Sequence, residues 1–139
     1  MADGFKILGT KELSLVATPY ANTSDSLIYQ VPSPSGERFG TRGNSQAIIS
    51  TIVVCHHGGG NVSYTIRVLE SSDANSDPVT FDISQYIIYH RAIGANETDV
   101  LTFGIGLTSG DAIYASADAT GTPPSTSETN IHIFGTEVL

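Results

Sequence analysis

The residues that most strongly suggest chemistry are two adjacent histidines followed by three glycines, at His56-His57-Gly58-Gly59-Gly60. In some esterases a His-Gly-Gly-Gly segment supplies the backbone amides of an oxyanion hole. That reaction also needs a serine nucleophile in a Gly-x-Ser-x-Gly elbow at a strand-to-helix turn, and this sequence has no such elbow. We therefore interpret residues 56–60 as the tip of a flexible hairpin.

The two histidines are also the first candidates for metal ligands. Adjacent residues in an extended strand point to opposite faces, so His56 and His57 do not converge on one ion. A metal site would have to recruit His90, His132 or an acidic residue. Nothing in the spacing of these residues requires such a site, and we predict neither a metal nor another cofactor.

Oxygen-bearing side chains alternate along a second segment, Asp73-Ala74-Asn75-Ser76-Asp77. This spacing matches the first half of an EF-hand calcium loop. Pro78 stands where that loop needs glycine, and the twelfth position is Ser84 instead of glutamate. An EF-hand is therefore excluded, and two interpretations of the Ser71–Ser84 loop stay open: a looser ion-binding loop or a solvated turn.

The remaining reactive groups do not form a catalytic set. The single cysteine, Cys55, ends an apolar run, so we predict that it is a small buried hydrophobic residue and not a nucleophile. The carboxylates are dispersed, and no two of them suggest an acid–base pair. The sequence therefore favours a protein that is not an enzyme.

Charge and hydropathy exclude further classes. The 139-residue chain has a formal net charge of -8 and six scattered lysines and arginines, so it lacks the basic patch of a nucleic-acid-binding protein. No stretch approaches the roughly 18 apolar residues of a membrane helix, and Met1–Gly4 is acidic where a signal peptide is basic. We expect one soluble domain, made in the cytosol, with no nucleic-acid or membrane partner.

Apolar and polar residues alternate with a period of two along much of the chain, which is typical of half-buried strands. Val62–Val68 is the clearest case. Ala47–Cys55 is instead apolar almost throughout, as expected of a strand that is covered on both faces or that lies at a subunit contact. Further strands are predicted at Leu13–Ala17, Leu27–Val31, Gln85–Ile93, Val100–Ile105, Ala112–Ala117 and Asn130–Phe134.

Turn residues separate these strands, and no segment shows the 3.6-residue period of a helix. The pattern predicts an all-β fold, an antiparallel β-sandwich of the jelly-roll or immunoglobulin-like kind with about eight strands. The two longest spacers, Pro32–Ser45 and Ser71–Ser84, should form crossover loops or projecting tongues. The expected core comprises Ile28, Val31, Ile49, Ile52, Val54, Tyr64, Ile66, Val68, Ile88, Leu101, Phe103, Ile105, Ile113, Ile131 and Ile133.

The sandwich is expected to span residues 13–139 and to follow a separate segment, residues 1–12. That segment contains the apolar residues Phe5, Ile7 and Leu8. Two interpretations of it stay open. It is either an N-terminal arm that docks on a neighbouring molecule or an additional edge strand of the same domain.

The strand sequences also follow one another in an order that is more specific than any single segment. The succession runs through Phe5–Gly9, Leu27–Pro32, Ile48–Cys55, Tyr64–Val68, Gln85–Tyr89, Ile93–Thr98, Leu101–Leu107, Gly110–Ala117 and Phe134–Glu137. In this order the chain resembles, over essentially its whole length, a family of small β-sandwich proteins common in tailed phages of marine and freshwater cyanobacteria. It departs from the family pattern at Gly36–Asn44, His56-His57 and Thr120–Ser127, which are loops and bear on partner contacts more than on the fold.

The resemblance implies a virion protein without enzymatic activity, and it transfers no catalytic residues. We expect a capsid decoration or cement protein that is located in the virion after assembly in the host cytoplasm. The alternative is a neck or tail-fibre appendage, or an adhesin that binds a receptor or glycan. Phe39 and Phe81 are the only aromatic residues in the two long spacers and tryptophan is absent, which favours the structural role.

The expected partners are the major capsid protein or other virion proteins, together with further copies of the chain. The apolar run Ala47–Cys55 and the weakly charged surface motivate a homo-oligomer. A trimer is favoured because trimers fit the threefold positions of a shell, although symmetric dimers are the commoner default. The residues expected to contact the capsid or another partner are Phe5, Ile7, Leu8, Phe39, His56 and His57.

Overall fold

The computed structural model describes residues 5–13, 15–16, 26–32, 45–79, 81–119 and 128–138. In these ranges helix is limited to one turn, α1 at Ser71–Ala74, and a 3-10 turn at Ile83–Gln85. No helix in this part of the chain has the length and apolar character needed to cross a membrane. The strands are β1 Lys6–Leu13, β2 Leu15–Val16, β3 Ser26–Gln30, β4 Gln46–His57, β5 Val62–Leu69, β6 Tyr86–Ile93, β7 Thr98–Thr108, β8 Ala112–Ala119 and β9 Glu128–Val138.

Two sheets pack face to face as a sandwich. Sheet one has the strand order β1-β9-β4-β7, and sheet two has the order β2-β8-β5-β6, with β3 also paired to β8. Every pairing of these strands is antiparallel except the two-residue contact of β2 with β8. The predicted all-β antiparallel sandwich is therefore confirmed, with eight longer strands and the short β2 in the described ranges.

The order of the longer strands distinguishes between the two predicted kinds of sandwich, a jelly roll and an immunoglobulin-like fold. When β2 is set aside, every connection except that from β5 to β6 carries the chain from one sheet to the other. The first strand lies beside the last in sheet one. This winding is the topology of a jelly roll, whereas an immunoglobulin fold keeps three consecutive strand pairs within a sheet.

The core lies between the sheets and is built from alternate residues of the strands. In β4 the residues Ile49, Ile52 and Val54 are buried, while Ile48 points outward and is 57 % exposed. The sequence predicts that Ala47–Cys55 is covered on both faces or lies at a subunit contact. In the described part of the chain, only the inner face of this strand is covered. All the predicted core residues belong to this core: Ile28, Val31, Ile49, Ile52, Val54, Tyr64, Ile66, Ile113, Ile131 and Ile133 are buried, and Val68, Ile88, Leu101, Phe103 and Ile105 are partly buried against them.

The first strand lies earlier in the chain than Leu13–Ala17, where the sequence predicts it. It is β1, which pairs along β9 at the edge of sheet one, whereas Leu15–Val16 pairs with β8 in sheet two. A register shift between Ile7 and Gly9 interrupts the period of two in β1. The alternation of apolar and polar residues therefore does not predict this strand. Residues 6–12 are thus an edge strand of the domain itself.

The Ser71–Ser84 segment is packed against the domain and does not project as a tongue. It covers the outer face of sheet two, where Leu69 and Tyr114 point away from the main core. Burying these side chains removes apolar surface from water, which is why the segment lies flat. The resulting second cluster consists of Leu69, Ala74, Val79, Phe81, Ala112 and Tyr114.

Candidate interaction surfaces

His56 and His57 point to opposite faces of β4, as predicted, and only one of them is accessible. His56 is fully buried, and His57 is exposed. The His56 Nε2–H donates to the Gly60 carbonyl at 3.1 Å, and the Thr129 hydroxyl lies 3.3 Å from Nδ1. His56 therefore fastens the β4–β5 hairpin to β9 from inside the domain, so it is not available as a surface contact. His57 alone can meet a partner.

The candidate ion-binding segment uses its oxygen atoms for contacts within the chain. The Asp73 carboxylate accepts a hydrogen bond from Gln85 at 3.1 Å, and the Asn75 side-chain oxygen accepts one from Gln30 at 3.1 Å. These side chains therefore diverge toward different elements instead of converging on one ion. Within the described ranges, no group of three or more His, Cys, Asp and Glu side chains could hold a metal.

Arg67 is a buried cation that links sheet two to the segment covering it. Its side chain lies between two aromatic rings, with the guanidinium carbon 4.2 Å from the Tyr86 ring centre and 5.0 Å from that of Phe81. It donates to the Tyr86 hydroxyl at 2.7 Å and to the Asp82 carbonyl at 3.4 Å. Cation–π contacts strengthen when water is excluded, and Arg67 is only 3 % exposed. We interpret Arg67 as a structural link.

A partly buried histidine and a buried carboxylate form a pair on the same sheet. His90 Nε2 lies 3.3 Å from an Asp118 carboxylate oxygen, and this contact joins β6 to β8 across the intervening β5. The His90 backbone N–H also donates to the Thr65 hydroxyl at 3.3 Å. A histidine oriented by a carboxylate is one component of many hydrolytic sites. Here the pair bonds three neighbouring strands together, and we interpret it as structural.

Sheet one exposes an apolar outer surface, which we call the apolar face and define by Phe5, Ile7, Ile48, Val100 and Phe134. The first four of these side chains are 57–65 % exposed. Phe134 is half-buried, and its ring stacks on that of Phe5 with the centroids 6.1 Å apart. Soluble monomers rarely expose a contiguous apolar patch of more than a few hundred Å², and such patches mark interaction sites.

The strand register joins the apolar face across all four strands of sheet one. Ile7 on β1 lies opposite Phe134 on β9, which in turn lies opposite Thr51 on β4. Ile48 on β4 lies opposite Gly106 on β7. Threonine and glycine thus fill the spaces between the larger apolar side chains, and the centre of the face is uncharged.

Two charged side chains at the β1 edge, Lys6 and Glu137, form contacts within the chain. The Glu137 carboxylate accepts hydrogen bonds from the Tyr29 hydroxyl of sheet two and from Lys6, whose Nζ lies at 3.0 Å. Burial by itself raises the pKa of Glu137, but the bonds from Tyr29 and Lys6 outweigh it and hold that pKa below its usual range. Burial, together with the Glu137 contact, raises the pKa of Tyr29. These groups join the two sheets at the β1 edge.

The predicted N-terminal contact residues divide between surface and interior. Phe5 and Ile7 belong to the apolar face, whereas Leu8 packs against the core, because neighbouring residues of a strand point to opposite faces. Phe39 lies outside the described residues. Sequence reasoning missed Ile48 and Val100 as contact residues, although each occupies an outward position in an alternating strand.

Comparison with known proteins does not assign the chain. No protein-family model matches the sequence, and no curated protein matches it.

Proposed function

We propose that the protein is a non-enzymatic structural component of a tailed-phage virion, a capsid decoration or cement protein that docks on the shell through the apolar face. The observation that carries this proposal is the apolar face itself. Removing a side chain such as Ile48 or Val100 from water contributes about 1.5–3 kcal/mol when burial is complete. Because a decoration protein binds at many equivalent positions, a modest energy per copy is sufficient to stabilise a shell.

Two features of the chain support this proposal. The jelly-roll sandwich is an architecture found in viral capsid proteins and lectins, although a fold by itself does not assign a function. The order of the strand sequences resembles that of virion proteins from cyanobacterial phages. The proposed partners are accordingly the major capsid protein or other virion proteins.

The β1 edge strand contributes to the proposed docking surface without being a free arm. Phe5 and Ile7 stand on the apolar face beside Phe134, and β1 is paired along β9. A shell subunit would therefore meet a preformed surface, so little conformational entropy is lost on binding.

The test compares two lysine substitutions at exposed isoleucines on different sides of the domain. Ile48→Lys places a charge on the apolar face, whereas Ile83→Lys places the same charge on an 84 % exposed residue of the 3-10 turn. Both side chains are exposed, so we expect both variants to fold. Binding is measured by co-sedimentation with shells assembled from the major capsid protein of the phage that encodes the chain.

We expect Ile48→Lys to weaken shell binding by about tenfold or more, which corresponds to about 1.4 kcal/mol, and Ile83→Lys to bind like the wild type. Wild-type affinity of the Ile48→Lys variant would exclude the apolar face as the docking surface. Failure of the unmodified protein to bind any shell would contradict the capsid role altogether.

One observation favours a second candidate, a glycan-binding adhesin. Tyr86, Tyr89 and His90 form a row of rings on β6, with successive centroids 4.8 and 4.6 Å apart, and Tyr89 is half-exposed. Binding sites for small ligands combine aromatic surfaces with a few polar groups. Glycan binding that Tyr89→Ala abolishes and Ile48→Lys leaves unchanged would support the adhesin over the decoration protein.

A further inference from the structure

The free edges of a β-sheet invite pairing with other chains, and proteins usually protect them by charged residues, bulges or short strands. Three edges of this sandwich have such protection. The β1 edge has a register shift at Leu8 and carries Lys6, Lys11 and Glu12. The β6 edge has two register shifts and a positive φ at His90, and the opposite edge of sheet two consists of the two-residue β2 and the five-residue β3.

The fourth edge, β7, has less of this protection. Its one register shift, in the pairing with β4 between Ile49–Ile105 and Thr51–Thr102, leaves the alternation of β7 itself unbroken. The strand is eleven residues long, and its burial alternates without interruption from Thr98 to Thr108. Asp99 is the only charged residue in the strand, which has no proline, lysine or arginine. In the described part of the chain β7 pairs with β4 on one side and with no strand on the other.

We propose that the free edge of β7 pairs with β7 of a second copy of this chain, antiparallel and about a twofold axis at Phe103. Phe103 is the midpoint of Thr98–Thr108, so this register gives the longest overlap. The two four-stranded sheets would then form one continuous sheet of eight strands, joined by about ten backbone hydrogen bonds. This inference does not rest on the virion role, because it concerns the free protein.

The side chains of β7 are complementary to themselves in this register. On the outer face, Val100 of each copy would lie opposite Gly106 of the other, and Thr102 opposite Gly104. On the inner face, Leu101 would lie opposite Ile105. Large residues thus meet small ones on the outside, and the central inner pairs, Leu101–Ile105 and Phe103–Phe103, are apolar, which makes them favourable cross-strand pairs. At each end of the inner face Asp99 lies opposite Leu107.

Electrostatics does not oppose a second copy as the occupant of this edge. The two Asp99 side chains would lie at opposite ends of the paired strands, eight residues or roughly 27 Å apart, which exceeds the Debye length of about 10 Å. Each Asp99 carboxylate already accepts hydrogen bonds from Tyr64 at 2.7 Å and from Arg91 at 3.0 Å. A net charge of -8 per copy therefore does not create repulsion at the centre of this contact.

The pairing gives a closed dimer instead of the trimer expected from the sequence. A twofold interface uses the same strand from both copies and leaves no further β7 edge to extend the assembly. It also places the apolar faces of both copies side by side on one surface of the joined sheet. The dimer would present roughly twice the apolar area of one chain to any partner.

The test introduces a charge at a glycine that the isolated chain can replace without a clash. A Cβ added at Gly106 meets no atom within 4 Å, and the same is true at Gly59 in the β4–β5 hairpin. Gly106→Lys places lysine on the proposed interface, and Gly59→Lys is the matched control. Sedimentation velocity of the full chain is measured across micromolar to millimolar concentrations.

We expect the wild type and Gly59→Lys to associate to twice the 14.6 kDa mass of the chain, and Gly106→Lys to need at least a tenfold higher concentration. A wild type that stays monomeric at millimolar concentration, or that forms trimers, would overturn the proposal. So would a Gly106→Lys variant that dimerises like the wild type.

A cysteine pair tests the register independently of the charge effect. Directly opposite residues in an antiparallel pair have Cα atoms 4.5–5.5 Å apart, which a disulfide can bridge. In a Cys55→Ser background, Val100→Cys with Gly106→Cys should give covalent dimers on mild oxidation. Val100→Cys alone should not, because Val100 faces Gly106 of the other copy and not itself. Equal cross-linking of both variants would exclude this register.

Discussion

Glu137 shows how one partly buried carboxylate can couple two sheets and an edge strand. Its contacts reach Tyr29 on β3 and Lys6 on β1, while Glu137 itself belongs to β9. Because its pKa is lowered in the folded state, the stability that it contributes is present at neutral pH and is lost as the pH falls below about 4.5. The hydroxyl of Tyr29 titrates in the opposite sense, since its raised pKa favours the protonated folded state and its contribution is lost above about pH 10.

The first prediction concerns this pH dependence. Glu137→Gln should remove the acid-sensitive part of the stability, so the difference in unfolding free energy between wild type and variant should shrink between pH 6 and pH 3. We expect a loss on the order of 1 kcal/mol at pH 6, which is typical of one side-chain hydrogen bond. Urea denaturation at both pH values measures it. A difference that is constant with pH would show that Glu137 does not titrate as described.

The second prediction concerns the glycine hairpin. Gly58 and Gly60 have φ angles of 127° and 85°, which side-chain-bearing residues rarely adopt, whereas Gly59 has open space around its Cβ position. Gly58→Ala and Gly60→Ala should each cost about 1–2 kcal/mol of stability, and Gly59→Ala less than about 0.5 kcal/mol. Chemical denaturation of the three variants checks this ranking. Equal effects at all three positions would contradict a turn that needs these two angles.

At the scale of the element, two neighbouring residues of β1 have different roles. Ile7 points toward the apolar face and Leu8 toward the core, as neighbouring residues of a strand do. The third prediction follows from this geometry. Leu8→Ala should destabilise the domain by about 2 kcal/mol through the cavity it leaves, while Ile7→Ala should change stability by less than about 0.5 kcal/mol.

The same strand explains what a truncation should do. Deleting residues 2–9 removes half of β1, the Leu8 packing and the Lys6–Glu137 contact, so we expect marked destabilisation or insolubility. The thermal unfolding midpoints of the deletion and of the two alanine variants measure these effects. A deletion variant with wild-type stability would show that the segment is a free arm after all.

The elements were largely predictable from the sequence because the period of two is a local signal. Val62–Val68 and Ala47–Cys55 both lie within observed strands. What covers each face is not local information. Arg67 stands at an outward position, and its burial depends on Phe81 and Tyr86 from a later part of the chain. For the same reason, the geometry of a strand predicts that His56 and His57 point to opposite faces, but it does not predict which of the two faces the core.

At the scale of the whole molecule, the jelly roll joins segments that are distant in sequence. Strand β1 pairs with β9, β3 pairs with β8, and the Lys6–Glu137 contact spans 131 residues. Folds that depend on such pairings fold slowly, because the entropy of closing long loops is lost before the contacts form.

The fourth prediction concerns this folding rate. Refolding from urea, followed by tyrosine fluorescence in a stopped-flow instrument, should take milliseconds to seconds. The chain has a single cysteine, so the rate should be the same with and without a reductant. Refolding within microseconds would contradict a transition state that must bring β1 to β9.

The pairing of β1 with β9 also determines how the domain would respond to mechanical force. Because the two strands are antiparallel, residues 5 and 138 lie near the same end of the pair, with Lys6 opposite Gly135. A load applied between residues 5 and 138 would act perpendicular to the strands and break the hydrogen bonds between them one after another. A load applied along the strand axis would instead strain all of these bonds at once. The domain should therefore resist shear much better than peeling, and the direction of pull would decide how soon it opens.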